Sequence, residues 1–402
     1  MIITYLKIDN LYGFHNSELD LSYSRKVSKS SIPYEYLPDR KSFNFKRVCI
    51  ISGTNASGKT SLGRVICGIE NFIERKTILP ILTSAICNKD NPAIIEIEFV
   101  TPSDNFIHKL ELSFIDSGLA IKKLLYISLP IGKNDSCYTM RNKLQLIKEK
   151  GRNNTGAYIN SENDGIATSF EEFSSIDFED MAWMFMFSEN KGDDKFSSSN
   201  TVSCKLFNKI LQAFDPSIAS VQPLLPENKK NKGKSNPASA YEIQFHNNDK
   251  VLINTSGEIA GERESINRFS KGTYDAIKLT SFISRVFSVA QQKQKGSSCT
   301  HFLDEQMAYT HSNLEQHILN LIISKLSPYS QFFYTTHNYD ILDMGLPIHS
   351  FLFMRKNGNY SSIIQPEKIF NKNDRNLSNY VKNDYFNTLP DTSKLDTLLW
   401  ED

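Results

Sequence analysis

The residues with the clearest capacity for chemistry are Gly53-Thr54-Asn55-Ala56-Ser57-Gly58-Lys59-Thr60, with Ser61 following. Their spacing is G-x-x-x-x-G-K-[ST]. Glycines at the two ends let backbone N–H groups curl around anionic oxygens with no Cβ in the way. Lys59 supplies a cation for the β and γ positions of a polyphosphate, and the Thr60 hydroxyl supplies a ligand for Mg²⁺. Such a loop needs a strand before it and a helix after it, because the helix N-terminus adds the positive end of its dipole. The flanks satisfy this. Residues 47–52 form a short apolar run, and Leu62, Val65, Ile66, Ile69 and Phe72 recur at helical spacing. ATP with Mg²⁺ is the expected ligand, held through Gly53, Asn55, Ala56, Ser57, Gly58, Lys59, Thr60 and Ser61.

Three further groups fit the same chemistry. In His301-Phe302-Leu303-Asp304-Glu305 an apolar strand ends in two carboxylates. Asp304 can hold Mg²⁺ and Glu305 can polarise an attacking water. In Phe333-Tyr334-Thr335-Thr336-His337-Asn338 a second strand ends in a polar turn, where His337 can hydrogen-bond the γ-phosphate or the water. Arg268-Phe269-Ser270-Lys271-Gly272-Thr273 opens a helix. Ser270 and Gly272 there suit an anion site or, equally, an ordinary N-cap.

The elements that must position these residues alternate along the chain. Ile2–Leu21 reads as two strands broken at Gly13, and residues 22–45 read as a polar excursion. Segments 94–100, 108–115 and 124–129 alternate as an antiparallel sheet would. Residues 143–180 are polar and read as an insertion, whereas Met181–Phe187 reads as core rather than a cofactor box. A helix at 207–214 ends at Asp215-Pro216. The stretch containing Lys229 to Lys234 reads as a solvated loop, with a nucleic-acid or partner contact as the sharper alternative. Strands at 241–245 and 251–254, a helix at 274–290, a strand at 300–303, a helix at 313–326, and strands at 331–335 and 350–355 complete the pattern.

With 402 residues and 40% hydrophobic content the chain can build one large core or two smaller ones. A net charge of +1 gives no global field toward DNA or an anionic membrane. The six cysteines form no C-x-x-C pair and read as reduced core thiols. The opening MIITYLKIDN has no signal-peptide character, and no apolar run approaches the ~20 residues that span a bilayer. A cytoplasmic location is expected.

The order phosphate loop, S-x-G-T before a helix, L-D-E, then T-T-H-N resembles the ABC-type ATPase heads of SMC, RecF and OLD-like proteins. It is most similar to the AbiLii-like (AAA15) ATPases of bacterial abortive-infection and phage-defence modules. Residues Tyr5 to Phe14 echo the family's opening, and Arg375-Asn376-Leu377-Ser378-Asn379-Tyr380 with Phe386 and Pro390 echoes its ending. The resemblance implies an α/β P-loop NTPase of the ABC-ATPase head type, with an antiparallel β subdomain and a helical insertion. The implied domains are an N-terminal ATPase lobe (1–130), an insertion (131–240) and a C-terminal ATPase lobe (241–402).

The resemblance also implies roles. Ser270, Gly272 and Thr273 would form the signature segment that contacts ATP on a second protomer, so that two heads sandwich the nucleotide. Asp304 would be the Walker B carboxylate, Glu305 the catalytic base and His337 the switch histidine. Lys271 departs from the small or polar residue usual inside the signature. Gln306 to His311 lacks the usual S-L-H form, though His311 fits its last position, and no Q-loop glutamine can be placed. The long stretch between Lys59 and Asp304 disfavours a transporter subunit, and the absence of heptads disfavours a chromosome-type SMC protein. The expected function is an ATPase switch in an anti-phage module. Its partners would be a second copy, a separate effector such as a nuclease, and a nucleic-acid or phage-protein trigger. The alternative is a RecF-like DNA-repair ATPase that binds DNA on dimerised heads.

Overall fold

A computed structural model describes residues 1–23, 30–115, 121–161, 166–178, 181–188, 204–224, 240–254, 259–260, 269–291, 298–370 and 376–398. Lys229 to Lys234, Arg268 and Arg375 lie outside the described residues. The fold is mixed α/β, and the chain divides into two compact units. The first is Met1–Phe185 with Gln294–Asp304 and Pro328–Asp402; the second is Met186–Lys293 with Glu305–Ser327. Among the described residues no helix is long and apolar enough to cross a membrane.

The first unit holds two six-stranded sheets. Strands β1 (Ile2–Asp9) and β2 (Ser17–Asp20) pair antiparallel. A short ribbon, β3 (Tyr36–Leu37) and β4 (Arg40–Asn44), comes before β5 (Val48–Gly53). Helices α1 (Lys59–Arg75) and α2 (Pro80–Thr83) follow, then β6 (Ala93–Thr101), β7 (Phe106–Phe114) and β8 (Ile121–Pro130). Helix α3 (Cys137–Lys150) then leads to β9 (Tyr158–Asn160). The antiparallel sheet has the order β2-β1-β6-β7-β8-β9. Helix α3 starts in a capping box, with Thr139 in place of the usual Glu or Gln. Ser136 Oγ accepts from Thr139 N at 3.2 Å, and Thr139 Oγ1 accepts from Ser136 N at 2.9 Å. Its polar side chains reach other charges of this unit rather than solvent alone: Arg141 Nε lies 2.8 Å from Glu98 and Lys148 Nζ 2.5 Å from Glu111. The polar stretch expected as an insertion therefore contains the end of α3, and also β9 of this sheet.

After α4 (Ile166–Ser174) comes β10 (Met181–Met186), a strand of the second sheet. Phe185 stacks on Phe302 at 5.8 Å, and Phe185, Met186 and Phe187 are buried as a core run would be, whereas Met181, Ala182, Trp183 and Met184 are half-buried. Besides β5, the remaining strands of this second sheet come from late in the chain: β15 (Ser298–Asp304), β16 (Ser330–Thr336), β17 (Phe351–Asn357) and β18 (Tyr360–Ile364). The order is β10-β15-β16-β5-β17-β18, and β15, β16, β5 and β17 run parallel. Every residue of β5, β15 and β16 is buried, as expected of parallel strands covered on both faces.

One buried side chain ties the two sheets together. The β1–β6 register shifts between Ile3 and Tyr5, which leaves Thr4 as an extra residue. Gln331 of β16 then serves Ile3: its Oε1 accepts from Ile3 N at 2.6 Å and its Nε2 donates to Ile3 O at 2.9 Å. The same Nε2 donates to Lys46 O at 2.8 Å, just before β5. Near the C-terminus, Phe386 is buried and stacks on Phe353 of β17 at 4.5 Å, anchoring the tail beside the strand next to β5.

The second unit contains α5 (Cys204–Phe214), then the antiparallel strands β11 (Ile218–Leu224), β12 (Ala240–Phe245), β13 (Lys250–Asn254) and β14 (Ile259–Ala260). Helices α6 (Lys271–Gln291) and α7 (Ser312–Lys325) complete it. Its core joins Phe207, Leu211, Ile243, Phe245, Ile253 and Ile277. All six cysteines are free. Core thiols were expected throughout; Cys87 is instead exposed, and its Sγ accepts from Gly13 N at 3.0 Å.

Candidate functional site

Buried β5 drives the chain straight into the glycine loop. At Gly53 a Cβ would lie 2.0 Å from Met354 O of β17, so only glycine lets the two strands pack here. Gly58 turns the chain at φ 102°, and Ala56 adopts φ 57°, a left-handed conformation that costs a non-glycine residue energy. Leu62 N donates to Gly58 O at 2.9 Å, which begins α1. No side chain caps the α1 N-terminus, and its first turn carries no acidic residue. A helix start without a side-chain cap or an acidic first turn is the arrangement that favours an outside anion. Ser57 Oγ is buried and has no hydrogen-bond partner among the described residues. Asn55 and Ala56 form the exposed crown of the loop, and Ser61 lies in the first turn of α1.

The Lys59 ammonium is 3.2 Å from Gly53 O, 3.2 Å from Thr54 O and 3.1 Å from His337 Nε2. An ammonium can only donate, so Nε2 accepts and the imidazole proton belongs on Nδ1. This contact follows from strand order. β16 lies between β5 and β15, so the turn after β16 lands beside the loop after β5.

The same intervening strand organises Asp304. This carboxylate is completely buried at the end of β15. Thr60 Oγ1 donates to it at 2.9 Å, and Thr335 Oγ1, its register partner on β16, at 2.6 Å. Thr335 was missed by the sequence reading, which saw only a polar end to the strand before His337. The Thr60 hydroxyl and the Asp304 carboxylate are hard oxygen donors side by side. That donor set fits Mg²⁺, which prefers one or two protein oxygens plus water and phosphate. No group of three or more His, Cys, Asp or Glu suited to a metal occurs among the described residues, so a heavier protein cage is not on offer.

Lys59, Thr60, Asp304 and His337 are therefore joined within the first unit, which also holds Gly53 to Gly58 and Ser61, whereas Glu305, Ser270, Gly272 and Thr273 belong to the second. Glu305 follows Asp304 with φ 50°, an uncommon backbone state for glutamate, and opens a turn closed by Ala308 N to Glu305 O at 3.3 Å. Ser270 is exposed at the start of α6, where its Oγ accepts from Thr273 N at 3.1 Å as an N-cap. Gly272 packs so that a Cβ would meet Tyr309 O at 3.0 Å, and the Lys271 ammonium sits 3.8 Å from the centre of the Tyr309 ring. This cation–π contact gives the unexpected lysine a place. His311 Nδ1 accepts from Asn313 N at 3.2 Å and caps α7.

No protein-family model matches the sequence, and no curated protein matches it. Among solved structures the chain is similar to an SMC head bound to the C-terminal winged-helix domain of ScpA, at 14% identity and TM-score 0.46, covering 92% of this chain and 99% of that one. It is similar also to the SMC head domain from Thermotoga maritima, at 13% identity and TM-score 0.40, covering 91% of this chain and 99% of that one.

Proposed function

We propose that the chain is an ATPase whose hydrolysis cycle acts as a switch, serving as a sensor or regulator in a bacterial anti-phage module. The observation that carries the ATPase reading is the meeting of four side chains at the end of the parallel strands of one sheet. Lys59 lies 3.1 Å from His337, and Thr60 lies 2.9 Å from Asp304. The uncapped N-terminus of α1 receives the phosphates, and Lys59 neutralises their charge. Thr60 and Asp304 hold Mg²⁺, which when bound supplies charge neutralisation on the phosphate oxygens. Glu305 accepts the proton of the attacking water, and His337 orients the γ-phosphate or that water.

Ser270, Gly272 and Thr273 would complete the site from a second copy of the chain. Exposure of Ser270 at a helix N-terminus supports this arrangement. The placing in an abortive-infection module, with a separate effector such as a nuclease, rests on the motif order that resembles the AbiLii-like (AAA15) ATPases. A trigger of nucleic acid or phage protein would then act on the ATP-bound dimer.

Phosphate release and nucleotide binding test the chemistry together. Lys59→Ala is expected to abolish ATP binding. Glu305→Gln is expected to keep binding and lower release about 100-fold or more. Unchanged release in Glu305→Gln removes Glu305 as the base. For the cellular role, cells carrying the gene with its neighbours are expected to lower phage plating, and Lys59→Ala to restore it. Equal plating in both strains rejects the defence reading.

A further inference from the structure

The β17–β18 hairpin brings a second lysine to the phosphate loop. Residues two apart on a strand share a face, and on β17 these are Met354 and Lys356. Met354 Cε would lie 3.3 Å from a Cβ on Gly58, and Ser361 Oγ of β18 would lie 2.9 Å from it. Ser361 is buried, whereas Lys356 is exposed at the carboxyl end of β17. Lys356 Nζ hydrogen-bonds Ser361 Oγ at 3.4 Å. Among the described residues no carboxylate lies within ion-pair distance of this ammonium.

The notch that holds the ammonium is built at a conformational cost. In the turn between β1 and β2, Asn10, Tyr12 and Asn16 have φ of 57°, 51° and 44°. A tyrosine in this region is a genuine outlier, and such strain concentrates at functional sites. Gly13, at φ 84°, is what the turn delivers: a Cβ there would lie 2.8 Å from Lys356 Nζ and 2.8 Å from Asn359 O. Gly13 O accepts from Ser361 N at 2.8 Å, which fixes turn and hairpin together.

Strand order sets the two lysines on opposite sides. Lys59 turns toward His337 after β16, on one flank of β5. Lys356 stands at the end of β17, on the other flank. We propose that Lys356 is a second phosphate-contacting lysine, reaching the polyphosphate of the bound nucleotide on the side of the loop away from Lys59. This rests on the nucleotide reading of the loop. A short swing of a flexible side chain brings the ammonium from Ser361 to an anion held on the Gly58 side of the loop, with no ion pair among the described residues to break.

The test is calorimetric titration of ATP and ADP, with magnesium, into the full chain at low and high salt. Lys356→Met is expected to weaken both nucleotides about tenfold and to flatten the salt dependence. Lys356→Arg is expected to stay within about threefold of wild type. Wild-type affinity and salt dependence in Lys356→Met overturn the assignment. Failure of the wild-type chain to bind either nucleotide, or undiminished binding in Lys59→Ala, overturns the nucleotide reading, and the Lys356 assignment falls with it.

Discussion

Asp304 depends on Thr335, a residue to which the T-T-H-N motif assigns no role. Thr335 Oγ1 donates to the buried carboxylate at 2.6 Å, and Thr60 Oγ1 shares it. Thr335→Val keeps the shape and removes one hydrogen bond to a charged group, worth about 1.5–3 kcal/mol. We expect ATP affinity to change by less than about twofold and phosphate release to fall about tenfold, measured by steady-state phosphate assay. Unchanged release would mean that Asp304 does not need Thr335 for its orientation. Lys59, Thr60, Asp304 and His337 stood out in the sequence because each is fixed by its near neighbours along the chain. Thr335 and Lys356 did not, because what gives each of them meaning lies on another strand or across a turn.

Helix α1 and strand β15 carry the loop lysine and the site carboxylate, and a buried pair joins them. Glu70 of α1 meets Thr300 of β15, Oε1 to Oγ1, at 2.5 Å. Burial pushes the Glu70 carboxyl up to about 7; the Met1 amino group and the Thr300 hydrogen bond act in the opposite direction. The folded protein therefore binds this proton more tightly than the unfolded chain, whose glutamate titrates near 4.3. Stability from this group is complete below the unfolded value, falls as pH rises toward about 7, and is level above it. The loss is on the order of 3 kcal/mol. Glu70→Gln is expected to remove it, so its melting temperature should gain on wild type steadily from pH 5 to pH 7.5. A gap that does not vary with pH would show that Glu70 is not the titrating group.

Elements were legible wherever their pattern was local. The apolar runs at β5, β15 and β16 are short and bounded, and each stands within a residue or two of its expected place. Strand order was not legible, because nothing local in residues 330–336 says that they lie between two segments so distant in sequence. Helix α3 was masked by its charge: Arg141 and Lys148 look solvated in sequence and pair with Glu98 and Glu111 in the fold.

For the whole molecule, the proposed two-protomer site makes oligomeric state depend on nucleotide. Glu305→Gln with ATP is expected to elute as a dimer in size exclusion with light scattering, and without nucleotide as a smaller species. Adding Ser270→Arg to Glu305→Gln is expected to block that dimer while each chain still binds ATP, since Ser270 stands exposed and, among the described residues, its hydroxyl contacts only Thr273 in its own helix turn. A dimer that forms equally with and without ATP, or survives the arginine, would place the association elsewhere.

The Gln331 clasp has a consequence for how the chain is made. Its partner Ile3 lies 328 positions earlier. At roughly 5–20 residues per second of synthesis, β1 leaves the ribosome roughly 15–65 s before Gln331 does. For that interval the Ile3 amide and carbonyl next to the Thr4 bulge lack the side chain that satisfies them in the finished fold. The first strand waits on a residue made more than three hundred positions later, and the join between the two sheets comes late relative to the synthesis of β1.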